Sequence, residues 1–505
     1  MMLKRILLIL IISILFKLML IPLYHSPDFE VHRNWMAITF NKPIKEWYYD
    51  ETSIWTLDYP IFFAYFELVL SFLANMFDPS ILVLSKEPFF TKKTLIFQRL
   101  SVIISELISL VPPIILICKS ESDSETNSIY LSTFFTIFNA SLVIVDHIHF
   151  QYNGFLMGIL LLSIYLTANY PIYSAIIFTC LVFTKHFFIV LAPIWFIFLL
   201  NSCIQRSEGK FFILIISSFK VLFSVLSVSA FAITPIIFYG QLNQFISRLF
   251  PISRSFIHFI PASNLYTLYS IADKVFAKFN LNFCKIHHLD AEGHYIKSMK
   301  CIPPVKPIFC MLICILFIIP VLVRLWHSLS NIKESTKSIL ITSSISLLIA
   351  FQFGFHIHEK QILYAIIPLG IYTILFCEND QQLLAHYTYL SNWSNLSVMV
   401  LLETYPENII KYVIIMTYYV LELLLLNINL RKYSVHNILF IFGLTTIFFL
   451  EFFVQRLVFD KLQLVFIYHA LSSLICIFPI LYYTFYFYYF WVFDSIKNSN
   501  RQESN

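Results

Sequence analysis

Glycine is scarce in this chain, at eight residues in 505. None is spaced as G-x-G-x-x-G or G-x-x-x-x-G-K, so the backbone loops that cradle nucleotide phosphates are missing and a soluble nucleotide-sugar or ATP site is not expected. Charge is scarce too: Asp, Glu, Lys and Arg make up 12% of the residues, the formal net charge is +5, and no basic block alternates with aromatics. Neither a nucleic acid nor a strongly acidic partner is implied. The nine cysteines are scattered, mostly through apolar runs, with no C-x-x-C pair and no His/Cys cluster at zinc spacing. Cys284 and Cys301 share one polar loop and could pair in an oxidising compartment. No internal repeat or domain linker is visible, and only the tail after Asp494 has a disordered composition.

What the chain has is apolar length. With 59% hydrophobic and 18% aromatic residues it carries more apolar surface than one soluble core needs. Several runs approach the roughly 20 residues that span a bilayer, which implies an all-α, polytopic membrane protein. The first run, 6–24, follows Lys4-Arg5 and has no small-x-small cleavage site, so it reads as a retained signal anchor. The positive-inside tendency keeps Lys4 and Arg5 in the cytosol and puts the loop from His25 onward on the lumenal side.

About fourteen spans are expected, at 6–24, 97–118, 128–145, 153–168, 171–185, 187–201, 211–239, 305–324, 338–353, 361–376, 381–402, 408–426, 435–452 and 463–491. An even number leaves both termini cytosolic. The chain then forms one domain over 1–495, with lumenal loops 25–96 and 240–304 and a cytosolic tail 496–505. The apolar stretch 60–77 is short and contains Glu67, and is expected to lie in the membrane plane rather than to cross. That choice puts the polar motifs at 26–60, 146–149 and 356–360 on one face, and Lys119, Arg206, Lys210, Arg324, Lys333, Lys337, Arg431 and Lys432 in short cytosolic connections. Two sequons, Asn392-Trp-Ser394 and Asn395-Leu-Ser397, lie so near the membrane that their use stays open.

Three motifs concentrate polar chemistry. In Ser26-Pro-Asp-Phe-Glu-Val-His-Arg-Asn-Trp35, Asp28 and Glu30 share a side if the segment is extended, whereas in a helix Asp28 neighbours His32. Either geometry allows a carboxylate general base, and the competing reading is a loop network of Asp28, Glu30 and Arg33 at the membrane surface. A metal on Asp28 and Glu30 is a weaker reading, because no third ligand is clustered with them. Asp58-Tyr59-Pro60 reads as a turn and interfacial anchor, and Trp47, Tyr48, Tyr49 and Trp55 as belt aromatics or sugar platforms. Asp146, His147 and His149 end an apolar run beside Gln151 and Asn153, where they suit either the headgroup region or a hydroxylated ligand. His356, His358, Glu359 and Lys360 fall short of H-E-x-x-H; the cluster suits a lipid phosphate, or Glu359 and Lys360 form an interfacial ion pair. Arg248 and Arg254 offer a second cationic site or headgroup contacts.

These motifs, with Val145-Asp-His-Ile-His-Phe-Gln-Tyr-Asn-Gly154, Ser247-Arg-Leu-Phe-Pro251 and Phe355-His-Ile-His-Glu-Lys360, resemble the endoplasmic-reticulum glucosyltransferases that use dolichyl-phosphate glucose. Phe29, Asn34, Trp55-Thr-Leu before Asp58, and His356-Ile-His358 are more similar to the second enzyme of that family, which adds an α-1,3-linked glucose to a monoglucosylated lipid-linked oligosaccharide for protein N-glycosylation. The first enzyme carries Gln in place of His356 and Trp-Gly-Leu before Asp-Tyr-Pro, and it remains the alternative. The resemblance implies a GT-C fold and an inverting, metal-independent transfer with no cofactor, from dolichyl-phosphate glucose to a dolichyl-pyrophosphate-linked oligosaccharide. It carries the catalytic base onto Asp28 and substrate binding onto Glu30, His32, Arg33, Asp58, Tyr59, Asp146, His147, His149, Gln151 and Arg248, with His356, His358 and Lys360 on the donor phosphate. Ile61, where relatives usually have a second Pro, and Pro261-Ala-Ser-Asn264 depart from the family pattern. A secondary transporter of lipid or sugar is the competing class, but it would place its ionisable groups near the midplane of repeated halves.

Overall fold

A bilayer offers backbone N–H and C=O groups no partner except the chain itself, so long apolar runs fold as helices. The computed structural model describes residues 2–121, 126–250, 261–279, 301–303, 305–330, 335–402, 407–459 and 465–494. Among these residues every regular element is a helix. Among the described residues ten helices are long and apolar enough to cross a membrane, the first Lys92–Glu121 and the last Ile467–Phe493. The chain is a membrane protein. Each remaining expected span is also helical: Asn153–Tyr165, Pro171–Val182 and Gln381–Ser397 are short, and Met2–Met19 carries Lys4, Arg5 and Lys17. Arg254 and Cys284 lie outside the described residues, and with them the Arg254 half of the second cationic site and the Cys284–Cys301 pairing.

The chain divides into two compact units. Unit one comprises 1–138, 142–251 and 325–339, and unit two 139–141, 252–324 and 340–505.

In unit one, α1 (Met2–Met19) leads to α2 (Asp28–Asn41), α3 (Ile61–Phe77) and α4 (Lys92–Glu121). Pro60 stands before α3 with the φ of −62° its ring imposes, and α3 ends at Asp78, whose carboxylate accepts from Ser80 N at 3.0 Å to start the next turn. α3 buries Ile61, Phe63, Ala64, Glu67, Leu70, Ser71 and Ala74 along one stripe and exposes Val69, Phe72, Leu73, Met76 and Phe77 on the other. The buried stripe meets α2, and Trp35, Trp47, Tyr48, Phe63, Phe150 and Tyr152 form an aromatic core around them. Each such side chain stabilises by roughly 1.5–3 kcal/mol when fully buried.

Several polar side chains inside this core are paired. His32 Nδ1 meets Glu67 Oε1 at 2.7 Å, which accounts for the one carboxylate in an otherwise apolar helix. The Asn34 amide and the Trp35 indole donate to Trp55 O and Thr56 O at 2.9 and 3.0 Å, holding the segment before Asp58 against α2. Lys17 of α1 and His147 both meet Glu106 of α4, each at 2.5 Å. α5 (Asn153–Tyr165) packs closely on α4, because a Cβ at Gly154 would lie 2.6 Å from Glu106 Cγ.

Unit two is also helical. Gln381–Ser397 is buried almost all round, with both sequon asparagines at 0% exposure. Asn395 Oδ1 accepts from Ser141 Oγ at 2.6 Å, and Asn392 Nδ2 donates to Glu422 at 2.5 Å. A glycan needs an accessible amide nitrogen, so this environment excludes one at either position. Glu451 gathers Lys411 Nζ at 2.7 Å, Tyr412 Oη at 2.7 Å and Tyr468 Oη at 3.0 Å.

Candidate active site

The first turn of α2 presents Asp28 at a helix N-terminus, where orphan N–H groups and the helix dipole favour a negative charge. Because the segment is helical, Asp28 and Glu30 diverge and the shared-side geometry of an extended chain does not occur. The Asp28 side chain stays 27% exposed. Its Oδ2 faces His149 Nε2 at 3.2 Å and accepts a hydrogen bond from the Gln151 amide.

The backbone around Asp28 is tied on both sides. Ser26 N donates to His149 O at 2.9 Å, and the Gln98 amide donates to Phe29 O at 2.8 Å. Arg99 Nη2 bridges Tyr24 O at 2.6 Å and Ile148 O at 2.7 Å. Arg99 and Glu106 fall within the expected span 97–118, where a charged residue inside an apolar run is the signal that marks them.

Tyr59 lies within electrostatic reach of this carboxylate. Burial, and then the carboxylates of Asp58, Asp28 and Asp146, push its hydroxyl well above the usual phenol range, so it remains a proton donor. Its ring packs on Trp35 at 5.0 Å, and Lys185 Nζ sits 5.0 Å from the ring centre. Lys185, inside an apolar run, was not singled out in the sequence. Arg248 reaches into the same loop, donating from Nη1 to Thr56 Oγ1 at 3.1 Å and from Nη2 to Glu51 at 2.7 Å.

Other expected site residues face inward. Glu30 accepts from Nε and Nη2 along one edge of the Arg33 guanidinium, and Arg33 Nη1 donates to Ile81 O and Val83 O at 2.8 Å. Asp146 is fully buried and accepts from Asn153 Nδ2 and Gly154 N, each at 2.7 Å, at the start of α5. His147 is committed to Glu106, and His32 to Glu67. Trp47 and Tyr48 are core residues, 2% and 0% exposed, rather than belt aromatics.

In unit two, His356 adopts a left-handed backbone with φ 52°, and its ring stands at 89° to that of His358 with centroids 5.4 Å apart. The 3-10 turn Glu359–Ile362 follows, carrying Lys360. Asn264 Nδ2 and Tyr266 Oη donate to Phe351 O and Phe353 O at 3.0 and 2.9 Å. The segment that departs from the family pattern at 261–264 therefore still secures the helix end before the histidines. Among the described residues no group of three His, Cys, Asp or Glu is placed to hold a metal ion.

The sequence matches the ALG6, ALG8 glycosyltransferase family over residues 13–488. The chain belongs to that family. Its similarity to other ALG6, ALG8 family proteins extends over most of its length. It is 35% identical to the mouse dolichyl pyrophosphate Glc1Man9GlcNAc2 alpha-1,3-glucosyltransferase over 83% of this chain and 82% of the mouse protein. A probable protein of the same description from Drosophila melanogaster is 37% identical over 74% of this chain and 71% of its own. The Schizosaccharomyces pombe protein of that description is 37% identical over 80% of each chain.

Proposed function

We propose that this protein is an inverting α-1,3-glucosyltransferase of the endoplasmic-reticulum membrane that transfers glucose from dolichyl-phosphate glucose to the Glc1Man9GlcNAc2 lipid-linked oligosaccharide, for protein N-glycosylation. The observation that carries the reading is Asp28: a partly exposed carboxylate at a helix N-terminus, held on Oδ2, in a chain whose relatives bear the name of that reaction. The site faces the lumen and both termini the cytosol, with α3 lying in the membrane plane. The exposed apolar face of α3 supports this placement, as does a length of about 25 Å against the ~30 Å of the hydrocarbon core.

Asp28 takes the proton from the acceptor glucose hydroxyl as its oxygen attacks C1 of the β-linked donor from the opposite face. The C1–O bond to phosphate breaks, the electron pair leaves with dolichyl phosphate, and an α linkage results. A phosphate monoester anion is a competent leaving group when cationic groups stabilise its charge, so one base suffices and a paired-carboxylate arrangement is not needed. The family resemblance assigns that phosphate to His358, with His356 and Lys360. The reaction needs no metal ion.

The test is glucosyl transfer from dolichyl-phosphate glucose to the unglucosylated and the monoglucosylated acceptor in parallel, in EDTA, with Asp28→Asn alongside. Transfer only to the monoglucosylated acceptor, lost in the variant, is expected. Transfer to the unglucosylated acceptor instead would move the protein one step earlier, and near-normal transfer by folded Asp28→Asn would remove Asp28 as the base.

A further inference from the structure

The segment that delivers two donors to Asp28 has an unusual backbone. Residues Val143–Phe150 form a π-helical turn, a form that recurs at functional sites because it displaces side chains from regular register. Phe150 then adopts φ 93°, a conformation that side-chain-bearing residues rarely hold, and Gln151 is extended at φ −159° and ψ 174°. Residues 149 and 151 flank this bend, and both reach the same oxygen of Asp28. The bend is held by burial: the Phe150 ring is 0% exposed, 5.0 Å from that of Phe29 and 5.6 Å from those of His32 and Tyr152.

Exposure separates the roles. The His149 side chain is 11% exposed against 27% for that of Asp28, and Gln151 is a buried residue, so the carboxylate reaches outward and its two partners sit behind it. An ionised carboxylate can only accept, so the hydrogen bond to Asp28 requires a proton on His149 Nε2; among the described residues Nδ1 has no hydrogen-bond partner.

We propose that His149 and Gln151 are positioning residues that act through Asp28, fixing the orientation of its carboxylate by donating to Oδ2, and are not ligands of either substrate. The proposal rests on the reading of Asp28 as the base. A base must point along the line of the proton it removes, and holding it there contributes to rate without contributing to substrate affinity. The ties from Ser26, Gln98 and Arg99 secure the surrounding backbone independently of the two side chains. Removing one donor therefore leaves the frame in place and loosens the hold on the carboxylate.

The experiment is steady-state kinetics on the purified full-length protein with Gln151→Met, which keeps side-chain length and loses the donor, and with His149→Leu against His149→Gln, which restores an amide donor. The expected result is a fall in kcat of about 10²-fold for Gln151→Met and His149→Leu, with KM for donor and acceptor unchanged and His149→Gln recovering most of the rate. The double variant Gln151→Met/His149→Leu loses less than the product of the two single effects, because both act on one carboxylate. A raised KM at unchanged kcat would make the two residues substrate ligands and overturn the proposal, as would unchanged kinetics. Should Gln151→Met not fold, the His149→Leu and His149→Gln comparison decides by the same criteria. An active Asp28→Asn sinks the Asp28 reading itself, whereas an inactive Asp28→Asn beside normal Gln151→Met and His149→Leu sinks only the positioning role.

Discussion

Arg33 grips Glu30 through two parallel hydrogen bonds, Nε to Oε2 at 2.8 Å and Nη2 to Oε1 at 2.7 Å, and the Arg33 side chain is 0% exposed. A fork of this geometry inside the core is joined to the carbonyls of Ile81 and Val83, so it ties α2 to the chain beyond α3.

Removing one partner of such a pair leaves a buried charge uncompensated, at a cost of about 3–5 kcal/mol. Glu30→Gln and Arg33→Met are each expected to lower the unfolding midpoint in detergent and the yield of folded protein, while the surviving fraction keeps its KM for both substrates. A raised acceptor KM in stable protein would return Glu30 and Arg33 to substrate binding.

The Lys17–Glu106–His147 cluster predicts a compensation. Glu106→Gln alone strands the Lys17 ammonium in the protein interior and is expected to destabilise by about 3–5 kcal/mol. Adding Lys17→Met removes the stranded charge and is expected to recover most of the loss. Thermal unfolding of the two variants is the check, and equal instability of single and double variants would contradict the pairing.

Phe150→Gly separates strain from packing. Glycine relieves a left-handed backbone worth about 1–3 kcal/mol, yet deletes a buried ring worth about 3–5 kcal/mol. The net expectation is a destabilisation of roughly 2 kcal/mol, smaller than for Phe150→Ala, which loses the ring and keeps the strain. Unfolding midpoints in the reverse order would refute the strained bend.

Asn392 and Asn395 predict a null result in mass. Digestion of the protein from a eukaryotic host with an endoglycosidase is expected to remove nothing from the peptides carrying these residues. A glycopeptide at either position would show that Gln381–Ser397 is not buried as described.

Hydropathy made the helices legible, since a run of apolar residues in a bilayer has no folded alternative to a helix or a closed barrel. Asp28 was legible for a related reason: a carboxylate in a polar loop of an apolar chain stands out by composition. The division of labour among its neighbours was not. Asp146, His147, His149 and Gln151 look alike in sequence, a single polar patch beside a span. A π-helical turn and a left-handed phenylalanine decide that Asp146 turns to the start of α5, His147 to Glu106, and His149 and Gln151 to Asp28. That Glu30 is taken up by Arg33 while Asp28 stays partly exposed was equally invisible in the sequence.

The sequence by itself determined the membrane class, the helical content and the motifs that mark the family, because these follow from composition and order along the chain. Only the tertiary structure decided which polar residues are buried partners and which carboxylate reaches outward. That choice depends on distances between residues such as Asp28 and Gln151, 123 positions apart, and on backbone angles that no local residue pattern dictates.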